Sequence, residues 1–458
     1  MQADGKPTTT AVVLAAGLGT RMKSDLPKVL HPVAGRPMLG HVLGTLDEIG
    51  ADHTVVVIGE GMANVEAAAQ PHATAVQKDR LGTGHAVLAA REFLAAHPSD
   101  DLMVLYGDTP LITAETLSAM LAARRAPAAP GVVVLGFEPA DPGPYGRLIV
   151  DENGTLEGIV EARDATPEQL AVGLCNSGVM VIDGARALEW LDRIGNDNAK
   201  GEYYLTDVVA IARADGRPSA VVRGDADEVL GVNSRVELAE AEAIAQTRLR
   251  IRAMESGATL TDPASVFFSW DTQLGRDVSV GPNVVFGPGV RIGDNVEIRA
   301  FCHIEGATVP SGTVIGPFAR LRPGADLSDG VHIGNFVEIK ASTLGEGTKV
   351  NHLSYVGDSV VGKGVNIGAG TITCNYDGYF KSKTVIEDGA FIGSNTALVA
   401  PVTVGSGAIT GAGSAIAKNI AAGSLAVTRA DQKEIKGWAD RFNTRRAREK
   451  QAQKDNKD

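Results

Sequence analysis

The chain has 458 residues, of which 44% are apolar and 5% aromatic, and it carries 54 glycines and a formal net charge of −12. These proportions argue against intrinsic disorder and favour α/β structure together with a repeat built from small residues. The negative charge argues against a general nucleic-acid-binding protein, because such domains usually carry a basic surface.

The cysteines and the first residues bear on the compartment. Cys175, Cys302 and Cys374 are odd in number and far apart, and none belongs to a CxxC or Cys/His pattern typical of a metal site. The first ten residues lack the apolar core of a signal peptide, and no stretch approaches the roughly 20 apolar residues that span a bilayer. We therefore expect a cytoplasmic protein with reduced thiols and no membrane insertion.

Residues 1–232 have the pattern of an α/β domain. The segment 115–125 predicts a helix, and the apolar runs are near-continuous, as in strands buried on both faces of a mostly parallel sheet. The predicted strands are AVVLAA (11–16), HTVVVIG (53–59), DLMVLYGD (101–108) and GVVVLGF (131–137). This order predicts a Rossmann-like, doubly wound domain.

A glycine-rich segment, LAAGLGTRMKSDLPKVL (14–30), follows the first predicted strand. Gly17 and Gly19 remove side chains where a phosphate would approach backbone N–H groups, and Arg21 and Lys28 add charge that can balance a triphosphate. A bare GxG is weak evidence. The longer pattern, AAGxGTRM followed by PK, resembles the signature of the nucleotide-diphospho-sugar pyrophosphorylase family.

Asp108 lies in the motif YGDTP, at the carboxyl end of a predicted strand, where open α/β sheets bind ligands. From spacing alone it is more often a turn residue. The resemblance implies that it binds Mg²⁺, an ion that takes few protein ligands, with Asn233 as the second ligand.

The resemblance also implies the substrate contacts of this domain, and Arg21 and Lys28 as the residues of uridylyl transfer. From residue type alone, several of the substrate contacts are equally turns, helix caps or an exposed charge. Expected to bind UTP or the UDP-sugar are Leu14, Ala15, Ala16, Gly17, Lys28, Gln77, Gly82, Thr83, Tyr106, Gly107, Asp108, Gly146, Glu161, Asn176 and Asn233.

Two charged segments flank the rest of the chain. Residues 233–257 are rich in Ala, Glu, Arg and Leu, with Asn233 or Ser234 as a start and Gly257 as an end, and predict a linker helix. The charged tail 439–458 has no apolar periodicity, and we expect it to be disordered.

Residues 258–438 form a repeat in which an aliphatic residue recurs every six positions. The series begins at Leu274 and Val280, slips by one after Ile304, and resumes at Val309. Ordinary β structure with chance spacing is the alternative, and so many repeats argue against it. The spacing predicts a left-handed parallel β-helix of hexapeptide repeats, and the polar break at 373–385 predicts an external loop.

Polar residues follow the same spacing. Arg322 and Lys340 are 18 residues apart, which is one coil of three six-residue sides, so they should stack. Two stacked cations need an anion, for which a phosphate is the obvious candidate; a solvated basic edge is the alternative. His352 falls on a different side of the coil and has the side chain best suited to accept an amine proton near neutral pH.

The segments GPFARLRPG, GNFVEIK and NIGAGTITCNYDG resemble the bifunctional GlmU family of bacteria, and the resemblance covers about residues 10 to 438. It implies a homotrimer with acetyl sites built between subunits and His352 as the general base. The residues implied to bind glucosamine-1-phosphate are Arg322, Lys340, Tyr355, Asn366 and Lys381. The residues implied to bind acetyl-CoA are Ala369, Asn375, Tyr376, Ser394, Ala412 and Arg429.

The implied function is synthesis of UDP-N-acetylglucosamine, a precursor of peptidoglycan and lipopolysaccharide. Acetyl-CoA would first acetylate glucosamine-1-phosphate, and UTP would then donate uridylate with Mg²⁺ as cofactor. One alternative is a single-function sugar-1-phosphate nucleotidyltransferase whose β-helix only drives assembly. Another is a nucleotide-sugar sensor without activity, against which two polar constellations argue.

Overall fold

The computed structural model describes residues 6–198 and 201–455. The chain folds into two compact units. The N-terminal unit comprises residues 1–256 with the segments 267–272 and 286–288, and the C-terminal unit comprises the remaining residues from 257 onward.

The N-terminal unit is built on one mixed sheet. Its strands follow the order Ser219–Arg223, Val132–Phe137, Cys175–Asp183, Asp101–Tyr106, Thr9–Leu14, His53–Gly59 and Ala73–Gln77. Strand Cys175–Asp183 is antiparallel to both neighbours, and the other neighbouring pairs run parallel. The hairpin strands Arg147–Val150 and Leu156–Val160 pair beside Cys175, and Pro32–Val33 pairs with Arg36–Pro37. The predicted α/β domain is confirmed.

Helices cover both faces of this sheet. Val12 and Leu14 of the first strand pack into one apolar layer with Trp190, whereas Ala11 and Val13 pack into the layer on the other face. Burial on both faces explains why the apolar runs are continuous. The helices are Met38–Ile49, Ala63–Ala69, Thr83–Leu88, Arg91–Ala96, Ala114–Arg124, Pro167–Leu170, Gly184–Asp192, Asp207–Ala214 and Arg235–Glu255, with 3-10 turns at Thr20–Met22 and Lys28–Leu30.

The segment predicted as a linker helix is the helix Arg235–Glu255, and it belongs to the N-terminal unit. The Ser234 hydroxyl caps it by accepting a hydrogen bond from the Glu237 N–H group at 3.3 Å. Its Ala241 and Ala245 pack against an apolar cluster that includes Met38. The helix is therefore part of a packed core.

The C-terminal unit is a β-helix with three faces of short parallel strands. Face 1 contains Thr259–Leu260, Ser279–Val280, Glu297–Ile298, Val314–Ile315, His332–Asn335, Lys349–His352, Asn366–Ile367, Phe391–Ile392, Ile409–Thr410 and Leu425–Ala426. Face 2 contains Gln273–Leu274, Arg291–Ile292, Ala307–Val309, Ala325–Leu327, Ser342–Leu344, Ser359–Val361, Thr384–Ile386 and Val402–Val404. Face 3 contains Val285–Phe286, His303–Ile304, Arg320–Leu321, Glu338–Lys340, Tyr355–Gly357, Ile372–Cys374, Ala397–Val399 and Ala415–Ile416.

The strand register explains the six-residue spacing. Ile298 pairs with Ile315 and Ile315 with Ile333 on successive coils of face 1, and all three side chains are buried. The aliphatic positions therefore form columns inside the coil, and the predicted β-helix is confirmed. The predicted external loop is also present between Ile372–Cys374 and Thr384–Ile386, where the Tyr379 side chain is 87% exposed.

The prediction of a disordered tail is wrong for the residues that the structure describes. They form the helix Trp438–Asp455, and residues 456–458 lie outside the described range. Helix-forming Ala, Arg, Gln and Lys residues dominate the segment, and Glu449 forms ion pairs with Arg445 at 3.8 Å and Arg446 at 2.8 Å, one turn away. Charge pairing along the helix, rather than an apolar face, favours its formation. No helix in the described ranges is both long and apolar enough to cross a bilayer.

The cysteines differ in burial and should differ in reactivity. Burial raises the pKa of the Cys302 thiol to about 11 and also raises the pKa of Cys175, whereas Cys374 is half-exposed. Because the thiolate is the nucleophile, iodoacetamide at pH 8 should label Cys374 first in the native protein. Mass spectrometry over time checks the order, and labelling in denaturant provides the control. Labelling of Cys302 at the rate of Cys374 would contradict the buried environment.

Candidate functional sites

A cavity of about 500 Å³ opens at the carboxyl ends of strands Thr9–Leu14, Ala73–Gln77 and Asp101–Tyr106. Open α/β sheets bind ligands at this edge. Of the residues expected to bind UTP or the UDP-sugar, those that line it are Leu14, Ala15, Ala16, Gly17, Lys28, Gln77, Gly82, Thr83, Tyr106, Asp108, Glu161 and Asn176. The structure thus brings together segments that are up to 162 positions apart, from Leu14 to Asn176.

Four of the expected residues do not line this cavity. Gly107 is buried, and its N–H group donates to the carbonyl of the lining residue Leu14 at 2.9 Å. The Gly146 carbonyl accepts a hydrogen bond from the N–H group of the lining residue Asn176 at 2.8 Å. Asn233 contacts the lining residue Lys28. Arg21 is exposed on the turn Thr20–Met22, away from the lining.

Lys28, Asp108 and Asn233 meet although they come from three separate segments. The Lys28 ammonium group pairs with the Asp108 carboxylate and donates to the Asn233 amide oxygen at 2.9 Å. The Asp108 and Asn233 oxygen atoms therefore both contact one positive charge. Carboxylate and amide oxygens of this kind are suitable ligands for Mg²⁺. The described residues contain no cluster of three or more His, Cys, Asp or Glu side chains that could hold a metal, so the fit rests on this pair of donors together with substrate oxygens.

Arg235, which the sequence analysis did not single out, ties these segments together. Its guanidinium group donates to the Met22 carbonyl at 3.2 Å and to His31 Nδ1 at 3.3 Å. The backbone N–H group of His31 donates to the Lys28 carbonyl at 3.2 Å. Burial and the nearby Arg235 charge lower the pKa of His31, which keeps the ring neutral and able to accept. In the sequence, the signal that pointed to Arg235 was its position two residues after Asn233.

Other lining residues were also missed by the sequence analysis. Arg80 donates from Nε to the Ala16 carbonyl at 2.9 Å. The other lining residues that were not expected are Val29, Ala86, Glu202, Tyr204 and Thr206. Burial raises the pKa of Tyr106, so its hydroxyl stays protonated as a hydrogen-bonding group. Only Arg80 had a sequence signal, as a cation in the turn that follows Gln77.

A second polar cluster lies on face 3 of the β-helix. The register pairs Arg320 with Glu338 and Glu338 with Tyr355, which places Arg322 one coil away from Lys340, as their spacing predicts. Stacking of like charges is unfavourable unless opposite charges are interleaved. The surroundings of the two cations therefore decide what the cluster can bind.

The expectation that these cations require an external anion needs correction, because the protein supplies carboxylates. Arg322 pairs with Glu338 at 2.8 Å, and Lys340 pairs with Asp358 at 3.3 Å. Stacking of the coils brings these acids to the same face. Lys381 also lies near Lys340, so three basic side chains face two carboxylates in this cluster.

The external loop that follows the strand Ile372–Cys374 adds residues to this cluster. The Asn375 amide group donates to the Asp358 carboxylate and to the Tyr355 hydroxyl, the latter at 3.3 Å. Tyr376 has an exposed side chain, and its backbone pairs with that of Lys381 within the loop. Asn375 and Lys381 therefore reach the side chains of Tyr355 and Lys340 from a segment outside the coil.

His352 lies on face 1, which also carries Asn366 on the next coil. Its Nδ1 atom is 2.9 Å from the Asn335 amide oxygen, which can only accept, so Nδ1 carries the proton. Nε2 is then left with a free lone pair on an exposed side chain. Asn335, not singled out from the sequence, thereby sets the tautomer that a general base requires.

A row of backbone carbonyls connects His352 with the residues expected to bind acetyl-CoA. The carbonyl oxygens of His352, Ala369 and Ser394 accept hydrogen bonds from backbone N–H groups of the following coil at 3.3, 2.7 and 2.8 Å. The Ala412 carbonyl accepts from the Arg429 guanidinium group. His352 and these residues therefore lie along one edge of the β-helix.

Family models match both units. A MobA-like NTP transferase domain matches residues 11–172, and the bacterial transferase hexapeptide model, of six repeats, matches residues 271–306 and 383–418. The bifunctional protein GlmU of Paramagnetospirillum magneticum is 61% identical over 444 residues, which cover 97% of this chain and 98% of that protein. The chain belongs to the GlmU family.

Further members of the GlmU family extend the similarity. The protein of Rhodospirillum rubrum is 64% identical over 397 residues, covering 87% of this chain and 89% of its own, and that of Xanthobacter autotrophicus is 57% identical over 443 residues, covering 96% and 98%. Both matching models describe transferases, so the chain is a transferase. The family predicted from the motifs is confirmed.

Proposed function

We propose that the protein makes UDP-N-acetylglucosamine by two reactions, one in each unit. The C-terminal unit transfers the acetyl group of acetyl-CoA to glucosamine-1-phosphate, and the N-terminal unit joins the product to uridylate from UTP with release of pyrophosphate. The observation that carries the proposal is a polar cluster in each unit: Lys28 with Asp108 and Asn233 at the cavity of the N-terminal unit, and exposed His352 held by Asn335 in the C-terminal unit. Membership of a family whose relatives are named bifunctional supports it.

Uridylyl transfer requires positioning and charge neutralisation. A phosphate oxygen of N-acetylglucosamine-1-phosphate attacks the α-phosphorus of UTP, the P–O bond to the β-phosphate breaks, and pyrophosphate leaves in line. No general base is needed, because the attacking phosphate is already ionised. Asp108 and Asn233 would hold Mg²⁺, which neutralises phosphate charge when bound. Lys28 adds its own charge, and Gly17 lets phosphate approach the backbone.

Acetyl transfer requires a base. His352 Nε2 takes a proton from the amino group of glucosamine-1-phosphate as the nitrogen attacks the thioester carbonyl. The new C–N bond forms, the C–S bond breaks, and coenzyme A leaves as its thiol by taking up the proton that His352 accepted. Arg322, Lys340 and Lys381 would bind the sugar phosphate together with Tyr355 and Asn366 on the two faces.

We propose that the acetyl site is shared between subunits of a homotrimer. Within one chain, His352 and Asn366 lie on face 1, whereas Arg322 and Lys340 lie on face 3. A neighbouring copy can bring its own face 3 opposite face 1. Sedimentation should then show that the species active in acetyl transfer is a trimer, and an active monomer would contradict the proposal.

A two-part assay tests the function directly. Coenzyme A release is measured with acetyl-CoA and glucosamine-1-phosphate, and pyrophosphate release with UTP, Mg²⁺ and N-acetylglucosamine-1-phosphate. We expect both. Pyrophosphate release alone would instead support the single-function nucleotidyltransferase, and absence of both would support the sensor.

A further inference from the structure

The cavity of the N-terminal unit has few positive charges for a ligand as acidic as a nucleoside triphosphate. Among its described lining residues, the only lysine or arginine side chains are Lys28 and Arg80. The charge of Lys28 is offset by its ion pair with Asp108. Arg21 is exposed and does not line the cavity. Arg80 is therefore the cation of the described lining that has no carboxylate partner.

Arg80 is anchored at one end of its guanidinium group and open at the other. It lies in the turn between strand Ala73–Gln77 and helix Thr83–Leu88, and its Nε atom donates to the Ala16 carbonyl at 2.9 Å. In the described ranges, neither terminal amino group donates a hydrogen bond, and no carboxylate forms an ion pair with Arg80. The anchored Nε atom orients the planar group, while the two terminal amino groups remain free to donate.

The backbone around Arg80 makes room for this arrangement. A side-chain Cβ at Gly59 would stand 2.7 Å from an Arg80 terminal nitrogen, so the guanidinium group occupies space that any larger residue would take. Ala16, to which it is anchored, directly precedes Gly17 of the glycine-rich segment. The guanidinium group therefore lies between Gly59 and Ala16, one residue before the glycine at which a phosphate would approach the backbone.

We propose that Arg80 binds the phosphate chain of UTP in the uridylyl-transfer reaction. This inference rests on the proposed function of the N-terminal unit and assigns a residue that the motif resemblance does not. A guanidinium group presents paired donors that match phosphate oxygens. The competing role is a structural strap that only joins the turn after Gln77 to the glycine-rich segment through the Ala16 carbonyl.

Steady-state kinetics of Arg80→Gln separate these roles. Hydrogen bonds to charged groups contribute enough that we expect the KM for UTP to rise by about tenfold or more. The KM for pyrophosphate in the reverse reaction should rise in parallel, whereas the KM for N-acetylglucosamine-1-phosphate should stay within about twofold. Acetyl transfer by the same preparation should be unchanged, which shows that the variant is folded.

Two further variants sharpen the test. Arg80→Lys keeps a positive charge but loses the Nε donor to Ala16 and the paired donors, so its KM for UTP should lie between those of the wild type and Arg80→Gln if charge on phosphate matters. Lys78→Gln removes an exposed cation of the same turn that does not line the cavity, and it should leave every KM unchanged.

The outcomes separate this inference from the proposed function. A KM for UTP that is unchanged in Arg80→Gln, or raised equally in Arg80→Gln and Arg80→Lys, would overturn phosphate binding by Arg80. A rise of the same size in Lys78→Gln would also overturn it, by showing a general charge effect. If the wild-type protein released no pyrophosphate, the proposed function itself would fail.

Discussion

Replacement of His352 by alanine should reduce the kcat of acetyl transfer by about 10²–10⁴-fold, the usual contribution of a positioned general base. The Nδ1 contact with Asn335 at 2.9 Å leaves Nε2 as the proton acceptor, and alanine offers none. Uridylyl transfer should continue at the wild-type rate, because its residues belong to the other unit. The measurement is coenzyme A release and pyrophosphate release from one preparation.

Two variants on face 1 serve as controls for this result. His332→Ala removes an exposed histidine from the strand His332–Asn335 and should leave both activities unchanged. Asn335→Ala should lower acetyl transfer less than the loss of His352, because the ring remains but its tautomer is no longer held. Loss of both activities in folded His352→Ala would contradict independent sites, and full acetyl transfer would contradict the role of His352 as base.

The β-helix is predictable from sequence because its core is a column. Each coil buries an aliphatic residue at the same place, as Ile298, Ile315 and Ile333 do, so the spacing of single residues specifies the fold. The strands of the N-terminal unit are predictable for a related reason: burial on both faces leaves few polar positions in a run such as 53–59. Local patterns suffice where the environment of a residue repeats.

Pairings across the chain are not predictable in this way. Lys28 meets Asn233 across 205 positions, and no local pattern records that contact. The Glu338 and Asp358 carboxylates lie one coil from candidate cations. The spacing of the coils predicts their position as it predicts that of Arg322 and Lys340, but it was applied only to the basic residues. The C-terminal helix was missed because apolar periodicity signals packing, whereas the pairs of Glu449 with Arg445 and Arg446 stabilise a helix without any core.

Replacement of Asp108 by asparagine should reduce uridylyl transfer by about 10²–10³-fold, because a bound metal contributes several kcal/mol of charge stabilisation to phosphoryl transfer and about 1.4 kcal/mol corresponds to tenfold in rate. Asparagine has the same shape but no charge, so it removes the negative charge that pairs with Lys28. The Lys28 ammonium group would then face two amide oxygens, and a divalent cation would be repelled from the site. Acetyl transfer should be unaffected.

The dependence of pyrophosphate release on Mg²⁺ concentration distinguishes loss of metal binding from misfolding. Asp108→Asn should need a higher Mg²⁺ concentration for half-maximal rate than the wild type, whereas a misfolded variant would lose activity at every concentration. Asp79→Asn is the matched control, because Asp79 is exposed in the turn after Gln77 and does not line the cavity.

An Asp108→Asn variant with more than half of the wild-type rate at equal Mg²⁺ would contradict the metal role. Lys28, Asp108 and Asn233 would then form a structural cluster, and the charge of UTP would have to be balanced by Arg80 and the backbone of the glycine-rich segment.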